Sequence, residues 1–385
     1  MTAVITGLER VLRDPPMALT GRRAGLLTHP SGIDRTLSST VDPFQSHPVQ
    51  DLQVLYGPEH GVRGEAQAGE HIADGRDSRS GLSIHSFYGE TRIPTSTMLD
   101  GIDVLVIDLQ DIGVRYAAYL STVAHVLTAC GSRGVEVVVL DRPNPLGGAY
   151  VGGNILDPAF VFFVGIHSIP ICRGLTIGEF VRLWSRDHSL SSPTVISMSG
   201  WTRTMTYDAT ALPWVFPSPN LPTLDSVMIY PATCPIEGTM PSQARGTNRP
   251  FEIIGAPWIG PDEMRDGIDS LGVPGIAARP LYFTPTFSKH AGTRCGGFQF
   301  VITHRGTFDS VRFGVLLIQL LQKFGGDQFG WIQSADGRFF IDLLYGADDV
   351  RLAIDGGAVL TVLTERWRSE ALAFEDRRSE ILLYH

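Results

Sequence analysis

Four stretches in the first half of the chain are apolar without interruption: AGLLT at 24–28, DLQVLY at 51–56, DVLVID at 103–108 and VEVVVLD at 135–141. Strands covered on both faces give such runs, whereas a strand with one wet face would alternate. Between the third and fourth runs the period changes. Tyr116, Tyr119, Leu120, Val123, Val126, Leu127 and Cys130 recur every three or four residues, one apolar stripe of a helix, with Gly131 and Gly134 as stop signals. Strand, helix, strand at this spacing forms a right-handed crossover between parallel strands. The first domain is therefore expected to be α/β: a Rossmann-like, mainly parallel sheet with helices on both faces.

From about 150 to 260 the pattern dissolves into proline- and glycine-rich segments that carry Trp201, Trp214 and Trp258. A linker would lack tryptophans, so these segments are expected to fold as ordered loops over a cleft. Regular patterning then returns. GGFQFVIT (296–303) predicts a strand, and SVRFGVLLIQLLQKF a helix that turns Phe313, Leu316, Leu317, Leu320, Leu321 and Phe324 inward. ERWRSEALAFEDRRSEILLY predicts an amphipathic closing helix. This is a second, α+β auxiliary domain, and a boundary near 225 gives units of 1–225 and 226–385.

Composition narrows the field. A chain of 385 residues with 43% hydrophobic and 18% charged residues has the length for two domains and the material for their cores. Its 31 basic and 40 acidic residues give a net charge of -9 with no basic stripe, so nucleic acid is not an expected partner. No apolar run approaches a membrane span, and no basic start leads into an apolar leader, so a soluble, cytoplasmic protein is expected. Cys130, Cys172, Cys234 and Cys295 are far apart and make no C-x-x-C, which excludes a zinc ribbon and leaves only long-range bridging open.

The loops that follow the four strands, HPSGID, GPEHGVRGE, LQDIGVRY and RPNPLGG, are all polar and rich in glycine or proline. Ligands of open parallel sheets bind beyond the carboxyl ends of the strands, so four such loops on one edge predict a site. Several chemistries are absent from it. There is no G-x-G-x-x-G after the first strand, no G-x-x-x-x-G-K-[ST], no G-x-S-x-G and no H-E-x-x-H. No nucleotide, metal or other cofactor is expected.

Carboxylates and arginines remain: Glu59, Glu65, Asp108, Asp111 and Asp141 beside Arg63, Arg115, Arg142 and Arg245. Two carboxyl groups in a cleft are the machinery of glycoside hydrolysis, one giving its proton to the leaving oxygen and the other acting at the anomeric carbon or on water. Glu59 is the candidate proton donor, since it follows a buried strand and desolvation favours a protonated carboxyl. Glu65, Asp108 and Asp111 are candidates for the second carboxylate, which stays unassigned. The structural alternatives are that Glu59 caps a helix or pairs with Arg63, and that Asp108 and Asp111 are caps or arginine partners. His60 is read as supporting the site rather than moving a proton. The arginines point to an anionic ligand, because a guanidinium binds a carboxylate bidentately. Gln110, Tyr116, Asn144 and Asn220 complete the candidate substrate-binding set.

The motifs GLLTHPSGID, LYGPEHGVRGEAQAGE, FYGETRIPTSTML, IDVLVIDLQDIGVRYAAYLST, LDRPNPLGG, WVFPSPNLPTLDS and RPFEIIGAPW, in this order, resemble the exo-β-N-acetylmuramidases of bacterial cell-wall turnover, formerly a domain of unknown function. The resemblance runs from about residue 20 to the final ILLYH. It implies a Rossmann-like catalytic domain without a nucleotide, an auxiliary domain, and a cleft between them. The implied reaction is release of terminal N-acetylmuramic acid from the non-reducing end of peptidoglycan fragments, with the central glutamate at Glu59. The lactyl carboxylate of muramic acid would account for gathered arginines. Two departures stand out. Where the family reads EGTNLSEGRGT this chain has EGTMPSQARGT, with Met240 for Asn and Gln243 for Glu, and alanines flank Tyr116 and Tyr119 where a larger pair is usual. The altered loop keeps open a non-catalytic protein that binds muropeptides or another anionic sugar, and a hydrolase for a different anionic sugar.

Overall fold

The computed structural model describes residues 3–46 and 50–385. Its strands are β1 (Arg22–Thr28), β2 (Gln50–Gly57), β3 (Gly75–Arg76), β4 (Ser83–Ser86), β5 (Val104–Asp108), β6 (Glu136–Leu140), β7 (Gly152–Ile155), β8 (Pro170–Cys172), β9 (Thr194–Ile196), β10 (Ile253–Ala256), β11 (Ile276–Phe283) and β12 (Cys295–Ile302). The four apolar runs are β1, β2, β5 and β6, the centre of a seven-stranded sheet ordered β3-β4-β2-β1-β5-β6-β9. All neighbours in it are parallel except the short edge pair β3–β4. Every residue of β5 is buried, as its unbroken apolar run requires.

The helices are α1 (Gly7–Arg13), α2 (Val41–Ser46), α3 (Ala118–Arg133), α4 (Ile177–Asp187), α5 (Leu224–Thr233), α6 (Pro261–Ser270), α7 (Ser310–Gly325), α8 (Phe340–Tyr345), α9 (Asp349–Asp355) and α10 (Thr361–Arg378). The crossover helix α3 ends as expected at Gly134, whose left-handed φ of 67° lets its N–H close on the Cys130 carbonyl. It starts later than the periodicity implied: Tyr116 lies before it, with its hydroxyl on the Pro231 carbonyl at 2.6 Å. Helix α7 carries the expected stripe except at its end, where Phe324 is exposed. None of the described helices is long and apolar enough to cross a membrane.

The second half builds the antiparallel sheet β10-β12-β11 against α5 and α6, with α7 packed on both helices and on α9. The two halves share one core: Ile112, Val114, Tyr116 and Cys172 pack in the same cluster as Phe251, Phe298, Leu317 and Tyr345. Arg115 bolts this junction. Its Nη1 donates to the carbonyls of Asn154 and Ile169 at 2.7 and 2.8 Å, and its Nη2 to those of Leu344 and Tyr345 at 3.3 and 2.5 Å. The end of the chain returns to the first sheet. Phe374 and Ile381 pack in the core of β5 and α3, and the Tyr384 hydroxyl donates to Asp141 at 2.6 Å. All four cysteines are free and buried.

Candidate active site

A cavity of about 620 Å³ opens beyond the carboxyl ends of β2 and β5 and is closed by segments of the second half. Two of the four expected loops reach it. The loop after β2 contributes Glu59, His60 and 67–69, and the loop after β5 contributes Ile112 and 116–119. The loops after β1 and β6 do not line it; they hold the buried polar layer beneath the strand ends.

Glu59 stands where the chain reverses after β2. His60 and Gly61 both take the left-handed conformation, φ 74° and 79°. At Gly61 this freedom is needed twice, since a Cβ there would also strike the Glu65 carboxylate. The turn leaves Glu59 half-buried at the cavity wall, with Oε1 accepting the Gly69 N–H at 3.0 Å. It neither caps a helix nor pairs with Arg63. Tyr88 faces it: burial first, and then the charge and hydrogen bond of Glu59, push the Tyr88 phenol up to about 12. His60 is buried, its Nδ1 3.0 Å from the Ala66 carbonyl. A carbonyl only accepts, so Nδ1 carries the proton. Burial lowers the His60 pKa, against the opposing pull of Glu59, and Arg245 lowers it further.

The second carboxylate on the wall is Glu237, which the sequence reading did not select. It sits in the EGTMPSQARGT segment, where Arg245 Nε donates to its Oε1 at 2.8 Å, Arg245 Nη2 joins the same oxygen, and Gln243 Nε2 adds a third bond at 3.2 Å. A strained turn aims these two donors. Ala244, between them, is held at φ 56°, a conformation that glycine adopts without steric cost. Lys289 secures the loop beneath Glu237. Its Nζ donates to the carbonyls of Ile236, Glu237, Thr239 and Pro241, so none of its hydrogens is left for an anion. Burial pulls the Lys289 pKa down to about 7.

Most of the remaining sequence candidates are structural. Asp108 is fully buried in a bidentate pair with Arg142, and Thr40 donates to the same carboxylate. Asp111 pairs with buried Arg173 and accepts the Gly113 N–H at 2.6 Å. These are the arginine-partner roles that stood as the alternative. Glu65 accepts the Arg63 N–H on the surface, and Arg63 itself grips Asp77 with two bonds of 2.9 Å. Gln110 donates to the carbonyls of Asp111 and Pro143, and Asn144 to that of Leu175. None of these residues, nor Arg115, lines the cavity. Of the four arginines only Arg245 does, because the others are consumed by carboxylates or carbonyls distant in sequence. From the substrate-binding set, His60, Tyr116, Asn220 and Arg245 reach it. The tryptophans of the loop-rich middle do not: the aromatic wall is Tyr88, Tyr116, Tyr119, Tyr230, Phe251, Phe287 and Phe340. Met240 is 43% exposed and off the wall, whereas Gln243, Ala117 and Ala118 are on it.

Sequence models of the exo-β-N-acetylmuramidase NamZ family match the chain twice, the N-terminal one over residues 24–225 and the C-terminal one over 228–384. The chain belongs to this family. It is 41% identical to the peptidoglycan β-N-acetylmuramidase NamZ of Bacillus subtilis over 99% of its own length and 91% of that protein's. Two crystal structures of DUF1343 family proteins from Bacteroides fragilis share the fold. One matches with a TM-score of 0.91 at 32% identity, covering 100% of both chains. The other has a TM-score of 0.79 at 28% identity, covering 100% of this chain and 99% of that one.

Proposed function

We propose that this protein is an exo-acting glycoside hydrolase that releases terminal N-acetylmuramic acid from the non-reducing end of peptidoglycan fragments, using Glu59 and Glu237. The observation that carries the reading is that these two glutamates are the carboxylates on one aromatic-walled cavity. Glycoside hydrolysis needs such a pair, and the family and its Bacillus subtilis relative supply the reaction.

The roles follow from the partners. Glu237 is ion-paired with Arg245 and oriented by Gln243, which suits a carboxylate that works as an anion, at the anomeric carbon or on water. Among the described residues Glu59 has no cation on it, only the Gly69 N–H and the nearby Tyr88 phenol. It is the acid: its proton passes to the glycosidic oxygen as the bond to the anomeric carbon breaks, and water supplies the hydroxyl of the released sugar. Arg245 directs Nε and Nη2 to Glu237 and makes no hydrogen bond from Nη1 to the described residues, so Nη1 is the donor offered to the lactyl carboxylate. The tyrosine and phenylalanine faces receive the sugar ring.

The test is incubation with a chromogenic β-N-acetylmuramide and with peptidoglycan fragments that begin in either amino sugar. Chromophore release, with free N-acetylmuramic acid from the muramyl-ended fragments only, is expected. Thermal stabilisation by the muramide without any product would instead mark a binding protein.

A further inference from the structure

Two buried polar atoms on the cavity wall have no partner among the described residues: Asn220 Nδ2 and Gln243 Oε1. Their residues are 4% and 3% exposed. Leaving a buried amide donor or acceptor unpaired costs about 1–3 kcal/mol, so such atoms on a ligand cavity are sites for what the ligand brings.

The orientation of Gln243 is settled by chemistry. Its other end faces Glu237 Oε1 at 3.2 Å, and a carboxylate oxygen accepts, so that end is the NH₂ and the free end is the carbonyl oxygen. Its backbone is equally fixed. The Phe251 N–H closes on the Gln243 carbonyl at 2.8 Å, Ser242 exchanges two hydrogen bonds with Gly255 of β10, and the Ala244 N–H takes the Ser242 hydroxyl. A carboxylate at 243 would confront Glu237 with a like charge at hydrogen-bonding distance. The glutamine removes that conflict and leaves a neutral acceptor, its Oε1, buried and unpaired at the cavity wall.

We propose that Gln243 and Asn220 read the acetamido group of the sugar: Gln243 Oε1 accepts from its N–H, and Asn220 Nδ2 donates to its carbonyl. The inference rests on the muramidase reading and makes these two residues its specificity determinants for an N-acylated sugar. A lone acceptor and a lone donor on the wall match an amide, which carries one of each on separate atoms. A 2-hydroxyl has both on one oxygen and leaves one protein group unpaired.

The experiment compares kcat/KM for a chromogenic β-N-acetylmuramide and for the same glycoside with a hydroxyl in place of the acetamido group. The wild-type protein is expected to prefer the acetamido substrate by about 10–100-fold, the factor that follows from unpairing one or two buried polar groups. Asn220→Leu, which leaves Glu237 untouched, and Gln243→Met are each expected to reduce that preference about tenfold, by losing rate on the acetamido substrate. A purely structural role would lower both substrates alike and leave the ratio intact. An equal fall on both, or no preference in the wild type, overturns the inference while the hydrolase reading stands. If neither glycoside is cleaved the hydrolase reading fails. Calorimetry with N-acetylmuramic acid and its 2-hydroxy analogue then decides the inference, with equal or absent binding of the two overturning it.

Discussion

Arg142 grips Asp108 through two hydrogen bonds, Nε to Oδ1 at 2.6 Å and Nη2 to Oδ2 at 2.8 Å, with both side chains out of solvent and away from the cavity wall. Such a pair is structural. Asp108→Asn leaves a buried guanidinium without its counter-charge and is expected to lower unfolding free energy by roughly 3–5 kcal/mol. Urea unfolding measures this. Turnover per folded molecule should stay within a few-fold of wild type, since Asp108 does not line the cavity.

Arg115 ties the two halves of the molecule through four carbonyls. Burial alone pulls its pKa to about 10, so it stays charged at neutral pH. Arg115→Met strands those acceptors and is expected to cost at least about 3 kcal/mol. Because the loss falls on the junction, calorimetry should show the thermal transition broaden or split where the wild type gives one peak.

Asp141 gives the folded state a distinctive pH dependence. Burial raises its pKa from 3.8 to about 6, against hydrogen bonds from Tyr384, Gly178 and Thr176. A folded pKa above the unfolded one means that the folded state holds the proton more tightly. Its contribution is therefore complete below about pH 4 and is lost as pH rises through 6, a change of roughly 3 kcal/mol. Other carboxylates also titrate there, so the quantity to measure is the unfolding free energy of wild type minus that of Asp141→Asn. That difference should fall between pH 4 and pH 7; a flat difference would show that Asp141 does not titrate there.

Lys289 holds the Glu237 loop by carbonyl contacts alone. Lys289→Met is expected to speed amide exchange through 236–243 and to cut kcat/KM by roughly tenfold or more, because a misplaced carboxylate loses the reacting geometry. Unchanged exchange with unchanged turnover would mean that the loop holds itself.

The sheet was legible because its strands are unbroken apolar runs, and α3 because a 3.6-residue stripe and Gly134 bound it. The place of Glu59 on the cavity was legible because polar residues crowd one turn after a core strand. The arginines misled because a guanidinium's partner is set by tertiary contact: Arg63 finds Asp77, Arg142 finds Asp108, and Arg115 finds carbonyls more than half the chain away. Glu237 escaped for the opposite reason. It lies in an irregular, proline-rich segment with no periodicity, and only folding brings it to the cavity that Glu59 lines. The tryptophans marked ordered loops, and they pack within the protein, Trp201 on Tyr384 and Trp214 on Tyr207, while tyrosines and phenylalanines line the cavity.

In the proposed reaction Glu59 delivers the proton that breaks the glycosidic bond. The most direct test of this step is kcat of Glu59→Gln on the chromogenic β-N-acetylmuramide, measured alongside a melting curve. Turnover lower by about 10²–10⁴-fold with unchanged melting is the predicted result. Turnover within a few-fold of wild type in a folded variant would contradict it.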